Sequence, residues 1–182
     1  MKIFVSIAAL CVLSTSMNAH AHIVLDVQAA PVGSYYRGAL RVGHGCDGSP
    51  VKQIVVTIPD GVQGAKPMPK PGWRIDIERK VLAKPYVSHG RTVAEDVSEI
   101  RWTAKSADDY LPPDHYDEFV VFAKLPEEAG KLYWKTSQLC EQGRIDWHDI
   151  PAPNAPRSKT PAAVLELQPK AEVHDMHMHH KH

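Results

Sequence analysis

The prolines and glycines of this chain decide what it can fold into. Fifteen prolines and eleven glycines fall in clusters such as "GCDGSP", "PDG", "PMPKPG", "PPD" and "PAPNAP". Proline lacks a backbone donor and glycine is costly inside a helix, so each cluster ends regular structure. Between the clusters the apolar residues come in short runs. "QIVVTIP" is a strand closed by Pro59 and the Asp60-Gly61 pair. In "WRIDIERK", Trp73, Ile75 and Ile77 alternate with Arg74, Asp76 and Glu78, the period of a half-buried strand. "EDVSEIRWTA" gives a short strand around Ile100 to Trp102, and the continuous apolar run of "EFVVFAKLP" fits a central one. "EQG", set between "KLYWKTSQLC" and "GRIDWHDI", reads as a hairpin turn, and "GAKPMPKPGW" as an ordered loop pinned by Trp73. The expected fold is all-β: an antiparallel β-sandwich, immunoglobulin-like or cupredoxin-like, with roughly seven or more short strands and Pro/Gly-rich loops.

The ends of the chain differ from this pattern. Residues 1–21 have the form of a secretory signal peptide: Lys2, an apolar run from Ile3 through Leu13, and the small-x-small site Ala19-His20-Ala21. That run is too short to span a membrane, so a soluble, exported chain is expected. The domain is expected over residues 22–153. Beyond it, residues 154–182 read as a Pro-rich linker and a flexible His/Met-rich tail. The 21 basic and 21 acidic residues balance, which leaves no concentrated basic surface for nucleic acid.

Cys11 would leave with the leader, so the mature chain holds Cys46 and Cys140. In an oxidising compartment such a pair is most simply a disulfide. Two thiolate metal ligands are the competing reading.

Cleavage after Ala21 would make His22 the first residue. Its freed α-amine and imidazole Nδ1 then reach one metal ion together, two nitrogen donors of the kind Cu(II) favours. An internal histidine cannot do this, because its backbone nitrogen is held in a peptide bond. Further ligands or shielding groups are sought among His44, His89, His115, His148, Asp117, Glu118 and Trp147. His44 also reads as an exposed loop residue. Trp147 and His148, being adjacent in a strand, would point to opposite faces. Five of the eleven histidines fall in the last nine residues. There His174, Met176, His177, Met178, His179, His180 and His182 combine imidazoles with soft thioethers, a composition suited to capturing copper in either oxidation state. Phosphate-loop, GxSxG, HExxH and CxxC motifs do not occur.

"HIVLDVQAAPVGSYYRGALRVGHGCDGSP", "VTIPDGV" with "KPMPKPGW", "HYDEFVVFAKLP" and "QLCEQGRIDWHDIPAP" together resemble the YcnI-type domain family, formerly a domain of unknown function. The resemblance covers roughly residues 22 to 153. It implies an exported or periplasmic β-sandwich that binds Cu(II) through a single-histidine brace, as a copper chaperone or homeostasis protein. The family's first mature histidine falls on His22 and its auxiliary tryptophan on Trp147, with Trp134 as the rival. On the residues themselves, either Asp117 or Glu118 could orient or complete the site, with Glu118 taken as the metal-site carboxylate; caps and solvated loop charges explain both nearly as well. A copper transporter or a copper-carrying periplasmic protein is the expected partner. The alternative is a copper-dependent oxidoreductase resembling lytic polysaccharide monooxygenases, which would need a second histidine beside His22. An adhesion module on the same fold would leave His22 without neighbours.

Overall fold

The computed structural model describes residues 22–152 and 154–170; the expected leader and the His/Met tail lie outside them. The chain forms twelve strands among these residues: β1 (Val24–Leu25), β2 (Ala29–Pro31), β3 (Tyr35–Val42), β4 (Val51–Thr57), β5 (Gln63–Pro67), β6 (Trp73–Ser88), β7 (Arg91–Ala104), β8 (Asp117–Lys124), β9 (Gly130–Trp134), β10 (Thr136–Cys140), β11 (Arg144–Trp147) and β12 (Ala163–Gln168). A 3-10 turn covers Ala107–Asp109.

These strands make sheets of order β1-β3-β8-β5, β11-β10-β4-β7-β6 and β2-β12-β9. Pairing is antiparallel except between β2 and β12, which run parallel. The first two sheets meet across an apolar core. Leu25, Leu40 and Phe119 lie in one row of the four-stranded sheet, and all three are fully buried. Across the gap the Trp73 and Trp102 rings meet Phe119 edge-on at 5.1 and 5.7 Å, a favoured aromatic geometry.

The structure departs from the sequence expectations in three places. Residues 64–67, the first part of the stretch 64–73 read as loop, belong to strand β5. It pairs with β8 at the edge of its sheet with a register shift between Gln63 and Lys66, and an edge strand tolerates a proline such as Pro67. The boundary expected at residue 153 falls short of the packed fold: β12 lies beyond it, between β9 and β2, with Leu165 and Leu167 buried. The strand expected near Ile100 is far longer. Residues 91–111 carry neither proline nor glycine and repeat Val93, Val97 and Ile100 at helical spacing. Residues 91–104 of that run are nevertheless β7, because pairing with β6 and β4 satisfies the backbone and tertiary context overrides local pattern.

The connections give the sandwich two distinct ends. His22 enters β1 at one end. Gly33, whose N–H donates to the Pro126 carbonyl at 2.7 Å, and the Lys170–Glu127 ion pair at 3.5 Å lie at the other. β12 runs parallel to β2 toward that second end, so the described chain finishes there, opposite His22.

Candidate metal centre

Three aromatic side chains from distant parts of the sequence meet at the His22 end. Trp147 closes β11, where it pairs with Thr136 of β10, and is only 2 % exposed. The half-buried His22 ring lies edge-on to its indole, with centroids 5.7 Å apart and planes at 61°. His44, also half-buried, meets the same indole at 6.0 Å and 69°.

Gln138 organises the cluster from behind. Its side chain is fully buried; Oε1 accepts the Trp147 Nε1–H at 3.0 Å and Nε2 donates to the His44 carbonyl at 2.5 Å. An indole only donates and a carbonyl only accepts, so these two bonds fix the amide orientation. They also commit the Trp147 N–H inward, which leaves the ring edge and faces as its contact with His22.

His44 is carried on a tight turn. Cys46 and Ser49 exchange backbone hydrogen bonds of 3.2 and 2.9 Å around Asp47 and Gly48, both at positive φ (48° and 82°), as an Asp-Gly hairpin turn requires. A Cβ on Gly45 would lie 1.7 Å from the Ser49 carbonyl oxygen, so no larger residue fits there. The His44 Nδ1 lies 2.7 Å from the Gly45 carbonyl. Since a carbonyl only accepts, Nδ1 carries the proton of this bond, and in the neutral ring the lone pair is then on Nε2. The turn is bolted to β10 by the Cys46–Cys140 disulfide, with Cα atoms 5.9 Å apart across 94 residues of sequence. In the chain-entropy picture such a closure stabilises by about 4–5 kcal/mol.

The other sequence candidates lie elsewhere. Glu118 stands level with Arg41 and Val24 in the β8-β3-β1 row, two strand spacings, about 10 Å, from the β1 backbone. Its carboxylate contacts Arg37 at 3.5 Å and receives the Tyr116 hydroxyl. Burial, then the Glu118 bond, pushes the Tyr116 hydroxyl up to about 12. Asp117 pairs with Lys70 at 2.5 Å. His115 is exposed beside Asp114, and His89 sits at positive φ in the β6–β7 turn. Trp134 is fully buried, packs against Tyr36 at 6.4 Å, and its Nε1–H has no hydrogen-bond partner. Trp147, not Trp134, is the tryptophan in ring contact with His22.

His148 follows the last residue of β11 and turns away from Trp147, toward Ser137. Its Nε2 lies 3.2 Å from Ser137 Oγ, whose hydroxyl donates to Asp146 at 2.5 Å. Serine, histidine and aspartate thus meet, but with the wrong polarity for nucleophilic catalysis. The serine proton points at the carboxylate, and the imidazole donates to the hydroxyl instead of accepting from it. Burial raises the Asp146 carboxyl, yet the bonds from Ser137 and Arg144 outweigh it and hold the group below the usual carboxylate range.

Among the described residues, no group of three or more His, Cys, Asp or Glu side chains converges as a metal cage, and no helix is long and apolar enough to cross a membrane. The donors at this end are two imidazoles and a backbone nitrogen that cleavage before His22 would free. That set suits copper, which accepts imidazole and amine nitrogen.

A family model described as "Domain of unknown function (DUF1775)" matches residues 22–167. The chain belongs to that family. The DUF1775 match opens on His22 and runs into β12. No curated protein matches the sequence significantly. Among solved structures, an uncharacterized protein from Nocardia farcinica, reported to have an immunoglobulin-like fold, is similar at 22 % identity and TM-score 0.64, over 80 % of this chain and 97 % of that one. The DUF1775 domain described here is accordingly an all-β, immunoglobulin-like sandwich.

Gln138 gave no signal in the sequence reading. Its parity with Thr136 and Cys140, all three buried on one face of β10, was the available clue.

Proposed function

We propose that this chain is an exported, periplasmic copper-binding protein, a chaperone or homeostasis factor, that takes Cu(II) on the mature N-terminal histidine. The observation that carries the proposal is the edge contact of His22 with the buried Trp147 indole. It sets the first residue of the family match against a rigid apolar wall at an open end of the sandwich.

Cleavage after Ala21 exposes the α-amine, and the amine and imidazole Nδ1 of His22 chelate the ion. Trp147 flanks the ion and excludes water on one side. The membership of the chain in DUF1775 supports a copper-associated role, since YcnI-type domains are the family it resembles. Glu118, the carboxylate of this reading, accepts from Arg37 and Tyr116 and keeps further lone pairs with which to complete the site.

The tail donors His174, Met176, His177, Met178, His179, His180 and His182 collect copper in a second, weaker store and pass it to a copper transporter or a copper-carrying periplasmic protein. The described chain ends at Lys170 on the far side of the domain from His22.

Isothermal titration of the mature protein and its His22→Ala variant with Cu(II) tests the assignment. The tight site is expected to vanish in the variant while the weak tail sites persist. A tight site retained in H22A would refute it.

A further inference from the structure

His22 is one of two imidazoles on the same indole. His44 meets Trp147 at nearly the same distance and inclination as His22 does, and the chain invests in holding it there. The β1–β3 register, continued two residues past Val24 and Arg41, brings His22 level with Gly43, the neighbour of His44. The turn bearing His44 admits only glycine at position 45, is bolted to β10 by the Cys46–Cys140 bridge, and hangs from Gln138 by its own carbonyl. Gln138 is fully buried and also holds Trp147, so one side chain sets the positions of both the wall and the second imidazole.

The hydrogen bonding of His44 has the form seen in histidine metal ligands. Such residues donate one ring N–H to a carbonyl or carboxylate, which fixes the tautomer and raises the basicity of the other nitrogen. Here Nδ1 faces the Gly45 carbonyl at 2.7 Å, and in the neutral ring Nε2 carries the lone pair. His148, the other histidine near Trp147 in sequence, is engaged with Ser137.

We propose that His44 is a second imidazole ligand of the ion held by His22, binding through Nε2 while Nδ1–H stays on the Gly45 carbonyl. The proposal rests on the copper function assigned to His22 above. It makes the site a three-nitrogen one: the amine and Nδ1 of His22 and Nε2 of His44. Because imidazole accepts both Cu(I) and Cu(II), the second ring would keep the ion bound when copper is reduced. Gln138 is a positioning residue, touching Trp147 and the His44 backbone but not the ion.

The test uses the full mature chain, exported with its own leader, with His174, His177, His179, His180 and His182 changed to serine so that tail imidazoles give no signal. Pulsed electron paramagnetic resonance of the one-equivalent Cu(II) complex counts coordinated imidazoles by the modulation from their remote nitrogens. Two are expected in this protein and one in its His44→Ala and His44→Gln derivatives, with copper affinity lowered by about 10- to 100-fold. Circular dichroism and the intact disulfide report that each derivative is folded. A single imidazole in the parent, unchanged in both His44 derivatives at unchanged affinity, overturns the role of His44 and leaves the His22 assignment standing. Loss of tight binding in H22A with two imidazoles in the parent supports both assignments. Two imidazoles in the parent that persist in both His44 derivatives overturn it as well, by placing the second ligand elsewhere.

Discussion

The two edges of the five-stranded sheet are built on opposite plans. At one edge, β11 is four residues long and everything around it is fastened: Trp147 to Gln138, Gln138 to the His44 turn, and that turn to β10 by a disulfide. At the other edge, β6 is sixteen residues long and its outer half runs past the body of the sandwich in a hairpin with β7. There the register shifts twice, and Val81 and Val87 are 79 % and 73 % exposed. The base of this hairpin is held by Asp96, which accepts the Tyr86 hydroxyl at 2.7 Å and the Gly64 N–H at 2.8 Å. Burial, then that carboxylate, pushes the Tyr86 hydroxyl up to about 12. Beyond this anchor little is buried. The contrast shows where the molecule is pre-organised: at the short edge, where the proposed site needs rings whose relative positions are already held.

Breaking the short edge is therefore expected to cost most. Replacing both cysteines with alanine removes the closure that holds the His44 turn, and should lower unfolding free energy by about 4–5 kcal/mol, measured by urea denaturation. Gln138→Leu keeps the approximate volume but strands the buried Trp147 N–H and takes the donor from the part-buried His44 carbonyl. A buried orphan costs about 1–3 kcal/mol, so a loss of about 1–3 kcal/mol, mostly from the indole, is expected in the same assay. A Gln138→Leu loss below about 1 kcal/mol would show that the buried amide is not the organiser described. At the long edge, Val81→Ser with Val87→Ser should shift stability by no more than about 0.5 kcal/mol and leave copper affinity unchanged; a larger loss would mean that the outer hairpin is covered by something.

How much of this was legible in the sequence follows the same division. Alternation in "WRIDIERK" assigned Trp73, Ile75 and Ile77 to one face. Trp73 is buried and Ile77 is 44 % exposed, because alternation says which residues share a face and not whether anything lies over it. The hairpin at "EQG" is present, with Gly143 at φ 86°, and Cys46 and Cys140 pair as a disulfide. β12 was hidden by its surroundings: Ala163, Leu165 and Leu167 alternate inward, but a proline-rich approach and a polar tail gave the whole region the composition of a linker. β5 was hidden by prolines that an edge strand accepts.

At the candidate site, His22 and Trp147 could be named from cleavage chemistry and family resemblance. Gln138 and the placement of His44 could not. A fully buried glutamine looks like a surface residue when only its type is known. The approach of His44 to Trp147 depends on two turns closing over about a hundred residues, which no local spacing reveals.

One peptide bond, between Ala21 and His22, makes the proposed site. The most direct measurement compares Cu(II) affinity of the protein beginning at His22 with that of a protein retaining Ala21, each start verified by intact mass. Retention of Ala21 converts the α-amine of His22 into an amide and leaves every side chain in place. The account predicts tight binding in the first protein and its loss in the second. Equal affinity in the two would contradict it.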